Sequence, residues 1–289
     1  MIDFAIIGAQ KSGTTAIYRY LKEHPEISLP VNKEASYFLE ENTVFDRFFH
    51  DFYEEKRNAV GSVSPQYMCY SGVPKIMKAH NENIKLIAIL REPIDRALSH
   101  HNMNVRRGYV HDNFDNIKKI LTSKIDSTLP NRADKSEQLH EVENVFRWGL
   151  YGTILNEYLK YFEKKNILVI DYSELRDKPE QVFENICKHI NVDTDFNPKN
   201  LGRKYHKGGT ETILPRADYF KKFRFAKWLW HTLPKKTREK VGYWYEVTNV
   251  KSKKSTTQDV FVKDDCLVNL YREDLQGCEL TKHLVSKWY

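Results

Sequence analysis

The residues best suited to chemistry come early in the chain. Gly8-Ala9-Gln10-Lys11-Ser12-Gly13-Thr14-Thr15 follows a short apolar run, Phe4-Ala5-Ile6-Ile7. Beyond it, Ala16, Ile17, Tyr20 and Leu21 keep helical spacing until Pro25 forbids continuation. A strand feeding a Gly-containing loop and then a helix N-terminus turns backbone N–H groups and the positive end of the helix dipole toward an anion. Gly8 and Gly13 have the spacing of the nucleotide loop GxxxxGK(S/T), but Thr14 stands where that loop needs lysine. The loop's cation is Lys11 instead. That displacement argues against a Mg-dependent NTPase or kinase, whose lysine must reach the β- and γ-phosphates.

A second anion-binding pattern follows the apolar run Lys85 to Leu90. Arg91-Glu92-Pro93-Ile94-Asp95-Arg96-Ala97-Leu98-Ser99 puts an arginine at a strand end and a serine about two turns into the next helix. Arginine offers a forked, charge-assisted contact to phosphate. His100 and His101 follow Ser99 on the same helix.

Together these segments resemble the sulfotransferases that use 3′-phosphoadenosine 5′-phosphosulfate (PAPS), in particular the heparan-sulfate-type and bacterial carbohydrate- or natural-product-type branch. The resemblance implies roles residue by residue. Gln10, Lys11, Ser12, Gly13, Thr14 and Thr15 hold the 5′-phosphosulfate, with Lys11 neutralising charge on the bridging oxygen as the bond to sulfur breaks. Arg91 and Ser99 take the 3′-phosphate. Lys207-Gly208-Gly209-Thr210 is similar to the family's late loop over the same phosphate. Asn32-Lys33-Glu34-Ala35-Ser36-Tyr37-Phe38 resembles the catalytic segment in which the glutamate is the general base, so Glu34 is the expected base and Lys33 its companion. His100 and His101 are the alternative bases, since aryl-type relatives use histidine. Tyr67, Arg106 and Arg107 are acceptor-side candidates. The segment from Leu270 to Trp288 resembles the family's C-terminal helix. The implied product is PAP, with no metal, and the acceptor is a hydroxyl or amine of a carbohydrate or small natural product.

These residues need a scaffold, and the hydrophobic pattern supplies one. Strands are expected at Phe4 to Ile7, Ile27 to Leu29, Ala59 to Val63, Lys85 to Leu90 and Ile167 to Asp171. Helices are expected over Thr14 to Glu23, Val73 to His80, Pro93 to about Arg107, Gly149 to Glu163, Pro179 to Ile190 and Asp264 to Gln276. Alternating strands and helices imply an α/β fold with a central parallel sheet flanked by helices, a three-layer P-loop-like arrangement with a helical and loop C-terminal extension. The expectation is a single domain over residues 1–289. Segments 110–145 and 197–259 break the alternation and read as insertions covering acceptor and cofactor.

Composition narrows the class. The chain has 289 residues, 40% hydrophobic and 29% charged, with a formal charge of +7. Eight Lys or Arg and one acid fall between residues 221 and 240, so the excess is local and favours an anionic partner. Four Cys show no metal-ligand spacing, and no apolar run approaches the ~20 residues of a membrane span. Without a signal-peptide pattern the expectation is a cytoplasmic enzyme. Two alternatives stay open: a P-loop phosphotransferase, and a module binding nucleic acid or acidic polysaccharide. The second draws on the interleaving of cations with Trp228, Trp230, Tyr243, Trp244 and Tyr245. No nucleic-acid partner is expected of the enzyme.

Overall fold

The computed structural model describes residues 1–33, 35–39, 44–107, 109–110, 129, 141–203, 210–212, 250–252 and 265–289. Glu34, Lys207, Gly208, Gly209 and the basic stretch 221–240 lie outside the described residues, as does most of 112–144. The chain separates into two compact units, residues 1–205 with 263–289, and residues 206–262.

The larger unit holds a five-stranded, all-parallel sheet, ordered β2-β3-β1-β4-β5. Its strands are β1 (Phe4–Gly8), β2 (Ile27–Ser28), β3 (Ala59–Val63), β4 (Lys85–Leu90) and β5 (Ile167–Asp171). Registers pair Phe4 with Gly61 on one side and with Lys85 on the other. Around the sheet run α1 (Thr14–Lys22), α2 (Phe45–Phe52), α3 (Val73–His80), α4 (Pro93–Arg107), α5 (Tyr151–Leu159), α6 (Tyr172–Asp177), α7 (Pro179–Ile190), α8 (Asp265–Gln276) and α9 (Lys282–Trp288). In the smaller unit, β6 (Thr210–Thr212) and β7 (Val250–Ser252) form an antiparallel pair.

The central strands are apolar throughout because both faces are covered. Alternation along β1 sorts its side chains. Ala5 and Ile7 pack with Leu86, Ala88, Tyr151, Ile154 and Leu275 on one face. Phe4 and Ile6 pack with Ile17, Leu21, Ile87, Val182, Phe183 and Ile186 on the other. Ile17 and Leu21 are fully buried, and each contributes roughly 1.5–3 kcal/mol of transfer free energy. That burial holds α1, and with it the loop at its start, against the sheet. Gly61 makes room for Phe4: a β-carbon there would lie 2.1 Å from the ring.

The strand order decides where a ligand fits. β3 lies on one side of β1 and β4 on the other, so the chain crosses over β1 between them. In open parallel sheets the crevice forms at the carboxyl ends where the order reverses, here the end of β1. The expected strands and most expected helices appear at their positions. Gly149 to Glu163 is a shorter α5 preceded by a 3-10 turn at Arg147–Gly149. Helices α2 and α6 were not anticipated. α2, Phe-Asp-Arg-Phe-Phe-His-Asp-Phe, is held by aromatic packing rather than by helix propensity.

Candidate active site

The loop after β1 closes tightly. Ala9 N–H donates to Ile89 O at 2.7 Å, and Ser12 N–H to Ala9 O at 3.2 Å. Lys11 and Gly13 adopt positive φ, 70° and 89°. Gly13 is required there for space as well, since a β-carbon would lie 2.8 Å from Leu175 Cδ2 and 3.2 Å from Tyr172 Cε2. Thr14 starts α1, so the free N–H groups of its first turn lie at the loop. Ser12 is fully buried, and its Oγ has no hydrogen-bond partner among the described residues. A buried hydroxyl left unsatisfied costs about 1–3 kcal/mol unless a ligand uses it. This orphan, on a positively disposed loop, fits a phosphate oxygen.

The next strand end brings the second cation. Arg91 follows β4, its carbonyl accepting from Tyr151 O–H at 2.9 Å. Its guanidinium lies over the Tyr172 ring, 5.4 Å from the centroid. Tyr172 therefore packs against both Gly13 and Arg91. It starts α6, which Asp171 caps by accepting from Ser173 N–H at 3.0 Å. No sequence motif singled out Tyr172; only the pairing of β4 with β5 brings it there. Glu92 caps α4 through Asp95 N–H at 2.7 Å and accepts from Tyr289 O–H at 2.8 Å. Ser99 is half-buried on α4.

The inner face of α4 carries Arg96, His100, Met103 and Arg107, three or four residues apart. Met103 Sδ lies 3.7 Å from Lys11 Nζ. A buried carboxylate, Glu141, meets this face. Its oxygens accept from His100 Nε2 at 2.5 Å and from Gln10 Nε2 at 2.9 and 3.1 Å, and Arg107 Nη1 stands 3.7 Å away. The Glu141 carbonyl accepts from Asn104 Nδ2 at 3.0 Å. His100 Nδ1 faces Arg96 Nη1 at 3.3 Å, and the ring stacks on Trp148 at 5.4 Å.

Arginine can only donate, so His100 Nδ1 accepts and Nε2–H donates to Glu141. Burial pushes the imidazole down to about 4, against the pull of Glu141. Burial works to raise Glu141, but His100, Arg107 and Gln10 hold it below the usual carboxylate range. The pair is thus a neutral imidazole bonded to a carboxylate.

The sequence-derived residues are not all brought together. Gln10, Lys11, Ser12, Gly13, Thr14 and Thr15 share one loop, and Arg91 joins them through Tyr172. His100 is fully buried with both ring nitrogens engaged, which leaves no lone pair for an acceptor proton. His101 is buried beside it on α4. Tyr67 is fully buried, its hydroxyl 2.6 Å from Ser62 Oγ, within the core. Arg107 turns to Glu141, and Arg106 lies in the last turn of α4. Lys33 is half-buried and precedes Glu34; three residues on, Ser36 Oγ donates to Ser64 Oγ at 2.8 Å, fastening this segment near the end of β3. Glu141 was missed because its surroundings read only as polar and mixed in charge.

An α/β sheet with a glycine-containing loop and a helix N-terminus at its switch point, and an arginine at the adjoining strand end, is an arrangement that suits phosphate. Comparison with known proteins gives the family. The model of the sulfotransferase domain matches residues 1–258, and the chain belongs to that family. Mouse bifunctional heparan sulfate N-deacetylase/N-sulfotransferase 1 is 27% identical over 262 residues, covering 75% of this chain and 28% of that protein. The Dictyostelium discoideum membrane-associated sulfotransferase kil1 is 29% identical over 109 residues, 36% of this chain and 23% of its own. The chain spans less than a third of the length of these curated relatives. The crystal structure of a sulfotransferase from Alicyclobacillus acidocaldarius superposes with a TM-score of 0.57 at 26% identity, covering 72% of this chain and 87% of that one. Among the described residues no helix is long and apolar enough to cross a membrane.

Proposed function

We propose that the protein transfers a sulfuryl group from PAPS to a hydroxyl or amine of a carbohydrate or small natural product. The observation that carries this is the loop Gln10 to Thr14 at the end of β1, where the orphaned Ser12 hydroxyl and the α1 N-terminus suit an anion and Arg91 stands at the neighbouring strand end. The donor supplies the sulfuryl group and carries two phosphate positions, and the residues present suit both. Ser12, Gly13, Thr14 and Thr15 hold the 5′-phosphate with Gln10 behind them, while Arg91 and Ser99 take the 3′-phosphate. Lys207, Gly208 and Gly209, outside the described residues, are assigned to the 3′-phosphate by family resemblance alone.

Lys11 acts on charge. Its ammonium is most valuable where negative charge develops as the sulfur–oxygen bond breaks, and a preorganised cation there lowers the barrier. Glu34 takes the acceptor's proton, a task worth roughly 10²–10⁴-fold. The engaged state of His100 supports assigning that role to Glu34. Lys33 supports the phosphosulfate or balances the Glu34 charge, and Arg106 is an acceptor-side residue in this reading. The heparan sulfate enzymes among the relatives support a glycan acceptor, and an amine within one. The buried free thiols Cys69, Cys187 and Cys278 suit a reducing, cytoplasmic setting.

The test is a labelled-sulfate acceptor screen across sugars, glycolipids and natural-product alcohols and amines. Transfer that depends on PAPS and vanishes in Lys11→Ala supports the proposal. Full activity in Glu34→Gln removes Glu34 as the base.

A further inference from the structure

The two phosphate-binding segments sit on different elements. The loop follows β1, whereas Arg91 and Ser99 lie just before and within α4. Lys11 Nζ in the loop lies 3.7 Å from Met103 Sδ on α4. A further tie runs through Glu141, whose carboxylate accepts from Gln10 in the loop and from His100 on α4, with Arg107 beside it. The anchor is stiff. Glu141 and His100 are almost wholly buried, Arg96 and Trp148 fix the imidazole, and Asn104 fixes the Glu141 backbone. A buried, fully hydrogen-bonded carboxylate holds its partners at set distances, because moving any one leaves a polar group unpaired.

We infer that Glu141 is a positioning residue that fixes the spacing between the 5′-phosphate loop and α4, and so makes the site selective for a nucleotide bearing both 5′- and 3′-phosphates. The inference rests on the donor proposed above. Its consequence is specific. A nucleotide with only the 5′-phosphate needs the loop alone. A 3′,5′-bisphosphate also needs Ser99 on α4 at the right separation from the loop, Arg91 being held beside the loop by the pairing of β4 with β1. Loosening the tie therefore costs the bisphosphate more than the monophosphate.

The experiment is calorimetric titration of the full chain with PAP and with adenosine 5′-phosphate, for the unaltered protein, Glu141→Gln and Gln10→Met. A charge-assisted contact to the 3′-phosphate gives the unaltered protein a preference for PAP of roughly ten- to a hundredfold. Both variants are expected to erode that preference by about tenfold, the scale of coupling between groups in one network. Gln10→Met leaves the His100–Glu141 pair in place, so it decides the matter if Glu141→Gln does not fold. Direct loss of a Gln10 contact to the 5′-phosphate would weaken both nucleotides alike. A parallel loss for the two nucleotides, or an unchanged preference, overturns the inference while leaving the donor intact. Failure of the unaltered chain to bind PAP overturns the donor, and the inference with it.

Discussion

A buried serine hydroxyl without a hydrogen-bond partner is costly to keep, and among the described residues Ser12 has none, at the mouth of a helix. Replacing it with alanine removes that cost. Ser12→Ala is expected to melt no lower than the unaltered protein, yet to bind PAP about tenfold more weakly, since a hydrogen bond to a charged group is lost. Differential scanning fluorimetry and calorimetry read the two effects separately. Lys11 calls for a different signature. Lys11→Ala should cut kcat by roughly 10²–10³ in single-turnover transfer, with a smaller change in PAP affinity, because its charge matters most in the transition state. His100 gives a pH dependence. Its folded-state pKa is lowered to about 4 by burial, below the 6.5 of a free imidazole. Between those values the unfolded chain binds a proton that the folded chain refuses, so stability falls as pH drops from 6.5 toward 4. Glu141, also lowered, adds to the loss at the acid end, and His80 and His189, lowered by burial, act in the same direction. His100→Gln keeps a donor and an acceptor but does not titrate. Melting temperature against pH should fall less steeply in that variant below pH 6.5, and equal slopes would remove His100 from the account.

At the scale of elements, the site depends on helices that hold one another. The start of α5 is capped from outside by α8. Asp274 accepts from Gly152 N–H at 2.6 Å, from Thr153 N–H at 2.9 Å and from Thr153 Oγ1 at 2.7 Å. A β-carbon on Gly152 would meet the Asp274 carbonyl at 1.8 Å, so glycine is required for the approach. α5 in turn contributes Tyr151, whose hydroxyl fixes the Arg91 carbonyl. Asp274→Ala is therefore expected to cost about 1–2 kcal/mol, as for loss of a helix cap, and to lower the melting temperature by a few degrees. The residue spacing predicts this helix pair separately but not their docking. Periodicity marks which face of α5 or α8 is apolar, and it carries no information on which carboxylate reaches which N–H.

For the whole molecule, the decisive arrangement is the sheet order. β1 lies between β3 and β4, so the loop after β1 and the arginine after β4 stand at adjacent strand ends. A ligand engaging both should stabilise the fold as a unit. PAP at a hundred times its dissociation constant is expected to add about 2.7 kcal/mol, visible as a raised melting temperature. Mg-ATP at the same concentration should give little shift, as Thr14 replaces the lysine that nucleotide triphosphates need. A larger shift with Mg-ATP than with PAP would restore the phosphotransferase alternative.

By itself the sequence determined the strands, most helices and the loop from Gly8 to Thr15, because hydrophobic period and turn chemistry are local properties. It also argued, through a lysine at position 11 and a threonine at 14, against a loop for nucleotide triphosphates. The tertiary structure decided the rest. Glu141 stands 131 residues from Gln10 and 41 from His100, so only folding brings the three together. Tyr172 touches Gly13 and Arg91 because β5 pairs with β4. The histidine pair, which the sequence offers as a base, becomes a buried strut at His100 because Arg96 and Glu141 occupy its two nitrogens. Local sequence can state what a side chain is able to do; packing and desolvation decide whether it is left free to do it.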